Sequence, residues 1–210
     1  MAKAPGLREE KKQRTRKALI EAALLLFDEH GYEATTTAAI AAAAGVSPAT
    51  FFNYFASKED VVFADQHVYD EILARVFATA TAEEPVTDLV FRTIGAFATA
   101  DAWSFPFEHP LTSVRARLLA SVPALRAGLL LRNAQVGDTW ARALCETHPG
   151  LDLSEAATIA GAVIGGVQAA LHANLDDHGR PRHPEAEVGL RAIQAVMHGF
   201  GDVQADVQKA

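Results

Sequence analysis

Apolar residues recur at helical spacing along most of the chain. Between residues 19 and 27 they fall every three or four positions, which predicts a first helix from about Glu9 to His30 that Gly31 ends. No segment stands out for the alternation of apolar and polar residues that is typical of a half-buried strand. The pattern therefore predicts an all-α protein.

Capping residues predict two short helices after the first one. The hydroxyl groups at 35–37 can cap a second helix, which Gly45 ends because glycine tolerates the left-handed conformation. Ser47 and then Pro48 suit the first positions of a third helix that reaches Phe55. Two short helices joined by a tight glycine turn, behind a longer support helix, are the elements of a helix-turn-helix.

Longer helices are predicted beyond this motif. Ser57 and Asp60 approximate a capping box, and the apolar residues after them predict one continuous helix as far as Thr81. The remaining helices are predicted at about 86–100, 110–120, 123–148, 154–175 and 184–200, which makes about nine in all. We expect a three-helix N-terminal domain at residues 1–57 and a larger helical domain at 58–210.

Composition sets limits on the class of protein. Half of the 210 residues are hydrophobic, which supports a sizeable core, and no run of about twenty apolar residues predicts a membrane span. The single cysteine, Cys145, allows no internal disulfide, which fits a reducing cytoplasm. The eight histidines do not fall at a metal-ligand spacing and no cofactor motif is present, so we expect neither a metal nor a cofactor.

Charge is unevenly distributed along the chain. The net charge is −7, yet the first 20 residues hold seven Lys or Arg against two Glu, so they carry +5 and the remainder carries −12. Such asymmetry is expected when a small basic part contacts phosphates and a larger acidic part has another role. A solvated basic tail is the alternative.

The helix-turn-helix has two chemically different faces. Its apolar positions, Ile40, Val46, Phe51 and Phe55, are spaced to be buried and to lock the two short helices together. The opposite face carries Pro48, Ala49, Thr50, Asn53 and Tyr54. A face of this kind can enter a DNA major groove.

The segment GYEATTTAAIAAAAGVSPATFFNYFASKEDVV, from Gly31 to Val62, resembles the TetR family of bacterial transcriptional regulators. The matching positions are the threonine pair before the second helix, Ile40-Ala41, Ala44-Gly45-Val46-Ser47, Thr50, Tyr54-Phe55 and Ser57-Lys58-Glu59. The resemblance implies a cytoplasmic DNA-binding regulator that is not an enzyme.

Position by position, the resemblance implies that side chains of this motif touch DNA phosphates and that Asn53 lies close to base edges. Basic residues at the start of the first helix would strengthen binding to the backbone. The predicted DNA-binding residues are Lys11, Arg14, Arg16, Thr36, Thr37, Ser47, Pro48, Ala49, Thr50, Asn53, Tyr54 and Lys58. The sequence departs from the commoner family pattern at three positions: Phe52 stands where tyrosine is frequent, Ala49 where glycine or a polar residue is usual, and Ala38 where some members have arginine. We therefore expect few polar contacts with the bases and more reliance on DNA shape.

For the larger domain the resemblance implies ligand sensing and a homodimer formed by the last two long helices. The small residues between 156 and 170 would permit close helix approach, although packing within one chain explains them too. A symmetric dimer would present two recognition helices to a pseudo-palindromic operator. Ligand binding would release the repressor by moving the two heads, with the helix at 57–81 as the lever.

The effector site is expected among mid-chain residues, where the family builds an apolar pocket. The candidate residues are Phe91, Phe97, Trp103, Phe107, Arg115, Leu119, Arg132 and Trp140. For any one of the aromatics, an ordinary place in the core is the alternative. The segment HPLTSVRARLLASVPALRAGLLLR resembles an actinobacterial subfamily that includes the mycofactocin-system regulator, which implies a largely apolar effector of the acyl-CoA type. The candidate partners for its phosphates or carboxylate are Arg115, Arg117, Arg126 and Arg132, and solvated arginines on amphipathic helices are the alternative.

Two other functions remain open from the sequence. A constitutive DNA-binding dimer would use the larger domain for dimerisation alone. A helical enzyme would need a nucleophile, a base and an orienting group; Ser113, His109 and Asp101 are close in sequence, which is weak evidence without a structural context.

Overall fold

The computed structural model describes residues 6–106, 109–176 and 180–207. Within these ranges the chain forms ten α-helices: α1 (Leu7–His30), α2 (Thr37–Ala43), α3 (Pro48–Phe52), α4 (Lys58–Val62), α5 (Gln66–Phe77), α6 (Val86–Ala98), α7 (Pro110–Ser121), α8 (Pro123–Thr147), α9 (Leu153–Ala173) and α10 (Glu185–Val207). An isolated bridge joins Leu175 to Pro181. The all-α prediction is confirmed.

The predicted continuous helix at 57–81 is wrong. The chain forms α4 and α5 instead, separated by residues 63–65. Ser57 caps α4 as expected, because its hydroxyl accepts the Asp60 N–H at 3.2 Å. The apolar pattern does not indicate this break, because Val62 before it and Val68 after it are both apolar and buried, as they would be in one continuous helix. The described residues therefore contain ten helices where nine were expected.

The first of two compact units comprises Met1–Asp65 and Ser104–Leu118. Its core includes fully buried side chains from α1, α2, α3 and α4: Leu19, Ile20, Leu24, Ile40, Phe51 and Val61. Two glycines with positive φ make its tight turns, Gly31 (84°) after α1 and Gly45 (68°) after α2. L-residues with a side chain rarely adopt these angles, which is why glycine suits both turns.

The second unit comprises Gln66–Trp103 and Leu119–Ala210. In it α9 packs against both α8 and α10. Gly166 permits the approach of α10, because a Cβ atom there would lie 2.7 Å from Val196 Cγ2. Trp140 and Leu144 of α8 are among the buried residues of this unit's core.

The contact units do not follow the expected division at residues 57 and 58. Both α4 and most of α7 belong to the unit that holds the helix-turn-helix. The functional division into residues 1–57 and 58–210 stays a prediction.

One helix of the described chain, α9, is long and apolar enough to cross a membrane by length and composition. Its mean hydropathy over the best window is 1.4, and only 17% of that window is buried within the single chain. The core helix of a soluble protein passes the same test. Helix α9 is therefore apolar although few of its residues are buried by the rest of the chain.

Candidate DNA-binding surface and effector site

The start of α3 is fixed by local hydrogen bonds that its sequence encodes. Ser47 has an extended backbone, and its hydroxyl accepts the Thr50 N–H at 3.1 Å, while Pro48 occupies the first helical turn. The Ser47 and Thr50 hydroxyls also lie 2.8 Å apart. The predicted N-cap is confirmed, and it leaves two hydroxyl groups side by side at the helix N-terminus.

The faces of α3 differ as the sequence predicts. Phe51 is fully buried and anchors the helix to the core. Pro48, Ala49 and Asn53 are exposed on the other side. Phe52 shares that side and is 55% exposed, which is high for a phenylalanine. The polar neighbour Asn53 on this side was the signal in the sequence that Phe52 should be exposed.

The start of α2 is capped in the same way as α3. The Thr36 hydroxyl accepts the Ala39 N–H at 3.1 Å and the residue is exposed. Thr37, Thr50 and Tyr54 are partly exposed. These predicted DNA-binding residues therefore lie on accessible parts of the first unit, and their contacts with DNA stay predictions.

Lys58 has a structural role that the sequence did not reveal. Its ammonium donates to the backbone carbonyls of Tyr32 at 2.7 Å and Thr35 at 3.3 Å, and lies 4.3 Å from the centre of the Tyr32 ring. Lys58 thus holds the start of α4 to the turn between α1 and α2. A phosphate contact by Lys58, which stays a prediction, would have to share an ammonium that already has these partners.

A second contact joins the same turn to α4. The Tyr32 hydroxyl donates to Glu59 Oε1 at 2.6 Å. That hydrogen bond lowers the pKa of Glu59 below its usual value. Burial first, and then the Glu59 hydrogen bond, raise the pKa of Tyr32. Tyr32, Lys58 and Glu59 together set the position of α2 relative to α4.

The basic residues of α1 fall into two groups. Lys11 and Arg14 are exposed, as a phosphate contact requires. Arg16 instead donates to the Ala64 carbonyl, and its guanidinium lies 5.3 Å from the centre of the Phe55 ring. Arg16 therefore packs over the core of the first unit, and a phosphate contact by Arg16, which stays a prediction, would have to share a guanidinium that already has these partners.

Three of the predicted effector-site residues come together in the second unit. The Phe97 ring lies 6.2 Å from that of Trp140, and the Trp103 indole N–H donates to the Phe97 carbonyl at 2.8 Å. Tyr69, which the sequence analysis missed, links them, because its ring lies 5.3 Å from Phe97 and 5.1 Å from Trp103. We call Tyr69, Phe97, Trp103 and Trp140 the aromatic cluster.

One polar atom in this cluster, the indole nitrogen of Trp140, has no hydrogen-bond partner among the described residues. Trp140 itself is 1% exposed. Two shallow surface depressions, of about 350 and 420 Å³, are lined by none of the predicted effector-site residues. The aromatic cluster is thus closely packed in this conformation.

The other predicted effector-site residues have varied surroundings. Phe91 is 47% exposed, and Arg115 lies in the first unit, where it binds Asp65 at 2.5 Å. Arg132 and Leu119 are partly exposed residues of the second unit. Phe107 lies outside the described residues. Phe91 is thus largely open to solvent and Arg115 is held in an ion pair, and their assignment to the effector site stays a prediction.

Comparisons with known proteins agree with the helix-turn-helix. The model of the bacterial regulatory proteins of the tetR family matches residues 19–64. The chain is 36% identical over 157 residues to the HTH-type transcriptional regulator TcmR of Streptomyces glaucescens, covering 72% of this chain and 67% of TcmR. It is also 36% identical over 198 residues to the HTH-type transcriptional regulator BetI of Rhizobium meliloti, covering 89% of this chain and 91% of BetI.

The fold agrees as well. Thermus thermophilus FadR, a TetR-family repressor whose structure holds lauroyl-CoA, matches with a TM-score of 0.50 and 23% identity, over 88% of this chain and 94% of that one. The curated relatives are regulators and the matched family is not enzymatic, so the helical-enzyme alternative is excluded. The exposed face of α3, the caps that fix it and the extent of these matches lead to one conclusion: the chain belongs to the TetR family of ligand-responsive, DNA-binding transcriptional repressors.

Proposed function

We propose that this protein is a cytoplasmic repressor that binds a pseudo-palindromic operator as a homodimer and leaves it when a small, largely apolar effector enters the second unit. The observation that carries the proposal is the α3 face, where Ser47 caps the helix, Phe51 anchors it and Asn53 stands exposed. A helix held in this way can enter a major groove with its exposed side facing the base edges.

The chemistry of α3 defines how the operator is read. Asn53 can donate to and accept from adenine in a bidentate manner, whereas Ala49 and Phe52 offer only apolar contact, for example to a thymine methyl group. The hydroxyls of Ser47 and Thr50 suit phosphate oxygens. We therefore expect A·T-rich half-sites with few fully specified positions and a contribution from DNA shape.

Exchanging Asn53 tests this readout. The Asn53→Ala variant removes the exposed amide at the C-cap of α3, so we expect a selected operator to lose about 1–3 kcal/mol of binding and to become degenerate at one position in each half-site. The matched control is Asn133→Ala, which removes an amide of the second unit that binds Gln168 at 3.0 Å. Operator binding unchanged by N53A but weakened by N133A would contradict the readout.

The exposed side of α9 supports a homodimer. Ala157, Gly161, Gly165 and Ala169 follow one another at intervals of four residues and are all exposed. A Cβ atom at Gly161 or Gly165 would meet nothing within 4 Å, so packing within the chain does not require glycine there. Together with the low burial of this apolar helix, the spacing favours close packing against a second copy.

Bulky residues at these two glycines test the dimer. The double variant G161L/G165L should fold, because both sites are open within the chain and leucine is a better helix former than glycine. We expect sedimentation to show a dimer for the unmodified protein and a monomer for the variant. As a control, Gly95→Leu places the same side chain at another exposed helical glycine with open space, and it should leave the dimer intact.

The aromatic cluster supports an effector that is mainly apolar. Its rings supply contact area, and the unpartnered Trp140 N–H can donate to an oxygen of the effector. Because the cluster is closely packed, an effector has to select a more open conformation, which ties its binding to a structural change. No charged group is among its four members, so a phosphate or carboxylate partner for an acyl-CoA must lie elsewhere; Arg132 stays a candidate.

Release of operator DNA tests the effector. Lauroyl-CoA, coenzyme A and lauric acid are added separately to the complex with a selected operator, and DNA anisotropy is followed. Release by lauroyl-CoA that Trp103→Phe weakens, and that the exposed-surface control Arg142→Gln leaves unchanged, would support an acyl-CoA effector at this cluster. Operator binding that responds to none of a broad panel of metabolites would favour a constitutive DNA-binding dimer.

A further inference from the structure

A large apolar side chain stands exposed at the end of α3. Phe52 is the last residue of this helix and is 55% exposed, although phenylalanine is among the residue types that are most often buried. Leu25 and Phe52 are the two large apolar side chains that stand exposed among the described residues of the first unit, and only Phe52 lies on α3. Apolar surface on a binding face gains free energy when a partner covers it.

The Phe52 ring is supported from one side. It meets the Phe51 ring edge to face, at 5.4 Å between ring centres and 85° between ring planes. Phe51 is fully buried and also contacts Phe55, whose ring centre lies 5.9 Å away. A side chain that rests on a fixed ring has less conformational freedom to lose on binding than a free surface side chain has. Phe52 is therefore a preorganised contact surface.

The surroundings of this ring on α3 are apolar. Pro48 and Ala49 are exposed on the same side of the helix as Phe52. Ala49 lies three positions before Phe52, a spacing that makes two residues neighbours on a helix surface. The alanine side chain is small, and the five residues of α3 carry no charge. We call Pro48, Ala49 and Phe52 the Phe52 patch; it offers a small group apolar contact with little steric obstruction.

The edges of the bases in a major groove present one kind of apolar group, the C5-methyl group of thymine. The other groups there are hydrogen-bond donors and acceptors, and the phosphates beside the groove are charged, so a phenyl ring pairs with neither. Cytosine that is methylated at C5 carries the same methyl group at the same ring position. The chemistry of the Phe52 patch therefore fits a C5-methylated pyrimidine from either source.

We propose that the Phe52 patch is a docking site for the C5-methyl group of one pyrimidine in each operator half-site, so that operator affinity depends on the methylation of that pyrimidine. This inference rests on the proposed function of an operator-reading α3. Asn53 supplies hydrogen bonds to a base edge in that function, and Phe52 adds an apolar contact next to it. Methylation of cytosine at the docking position thereby converts a weaker site into a stronger operator.

Single methyl groups of the operator test this docking site without any change in the protein. An operator is first selected from random duplex DNA with the unmodified protein. Each pyrimidine position is then compared with and without the C5-methyl group, as thymine against uracil and as 5-methylcytosine against cytosine, which leaves the base pairing within each pair unchanged. We expect one position per half-site at which loss of the methyl group weakens binding about fourfold in anisotropy titrations, the effect of exposing one methyl-sized group.

Variants of the protein assign the methyl effect to Phe52. In Phe52→Ala the methylated and unmethylated bases should bind equally at that position, because the ring that contacts the methyl group is gone. Phe52→Tyr keeps the ring and should keep the fourfold difference. Phe91→Ala is the matched control, since it removes another exposed phenylalanine, on α6 in the second unit, and it should leave the difference unchanged.

The two pairs of bases also separate the sources of the methyl group. A difference between thymine and uracil supports docking of thymine, and a difference between 5-methylcytosine and cytosine supports docking of methylated cytosine. Equal binding within both pairs at every position, or a difference that persists undiminished in F52A, would overturn the docking site while operator binding itself stands. Failure to select any operator with the unmodified protein would instead overturn the proposed function.

Discussion

The N-cap of α3 yields the sharpest prediction, because one hydroxyl is assigned both a structural and a DNA-binding role. Ser47 Oγ accepts the Thr50 N–H at 3.1 Å at the start of a helix of five residues. Replacing an N-cap serine by alanine costs about 1 kcal/mol, whereas glycine at the same position costs only a few tenths. Ser47→Ala should therefore lower the free energy of unfolding by about 1 kcal/mol, and Ser47→Gly by clearly less.

DNA binding should not follow this order. Both variants lack the hydroxyl assigned to a phosphate, so each should lose about 1 kcal/mol of operator binding, or roughly fivefold in affinity. Urea unfolding measures the stability effect, and operator anisotropy measures the affinity. Ser154→Ala, at an exposed serine of α9, is the control and should not alter operator affinity.

Two results would refute this reasoning. If S47A unfolds at the same urea concentration as the unmodified protein, the cap does not stabilise α3. If S47G binds operator as tightly as the unmodified protein while S47A does not, Ser47 acts on DNA only by shaping the helix, and the phosphate contact is wrong.

Three further predictions concern charge, pH and the exposed phenylalanine. Lys11→Gln or Arg14→Gln should each reduce the slope of log affinity against log salt by about 0.9 on random duplex DNA, and Arg142→Gln should not; equal slopes would remove these residues from the interface. Tyr32→Phe should lower stability by about 1 kcal/mol at pH 7. Because the pKa of Glu59 is lower in the folded protein than in the unfolded chain, its ionised carboxylate stabilises the fold at pH values above the unfolded pKa. The stability lost in Tyr32→Phe should therefore shrink as pH falls below about 4 in urea titrations, and a constant loss would contradict the pKa assignment. Phe52→Tyr should leave stability unchanged because the side chain is 55% exposed. It should strengthen operator binding if the added hydroxyl reaches a DNA phosphate. No gain in affinity in anisotropy titrations would place Phe52 away from the DNA backbone.

The local features of the DNA-binding unit were predictable from sequence. Caps at Thr36, Ser47 and Ser57 depend on a side chain and a backbone N–H three residues later, so the sequence alone contains both partners. The family pattern around them identified the function before any geometry was known. Most other helix ends lie within about two residues of their predicted positions, but α3 ends at Phe52 rather than Phe55, and α10 continues to Val207 rather than ending near residue 200.

Contacts between distant residues were not predictable. Asp65 and Arg115 are fifty positions apart, and a helical arginine near an apolar run is equally compatible with solvent, a ligand or a buried ion pair. Arg115 was therefore assigned to the effector site. Lys58 was assigned to DNA because its motif position was known and its carbonyl partners were not. The break after α4 was missed because the apolar spacing continues across it.

Selection from random-sequence duplex DNA tests the central claim most directly. The protein is incubated with the library, bound DNA is amplified over several rounds, and the unmodified chain is compared with N53A. We expect a pseudo-palindromic, A·T-rich site with few fully specified positions, and the loss of one specified position per half-site in N53A. Failure to enrich any sequence, or an enriched site that N53A reads identically, would contradict an operator-reading α3.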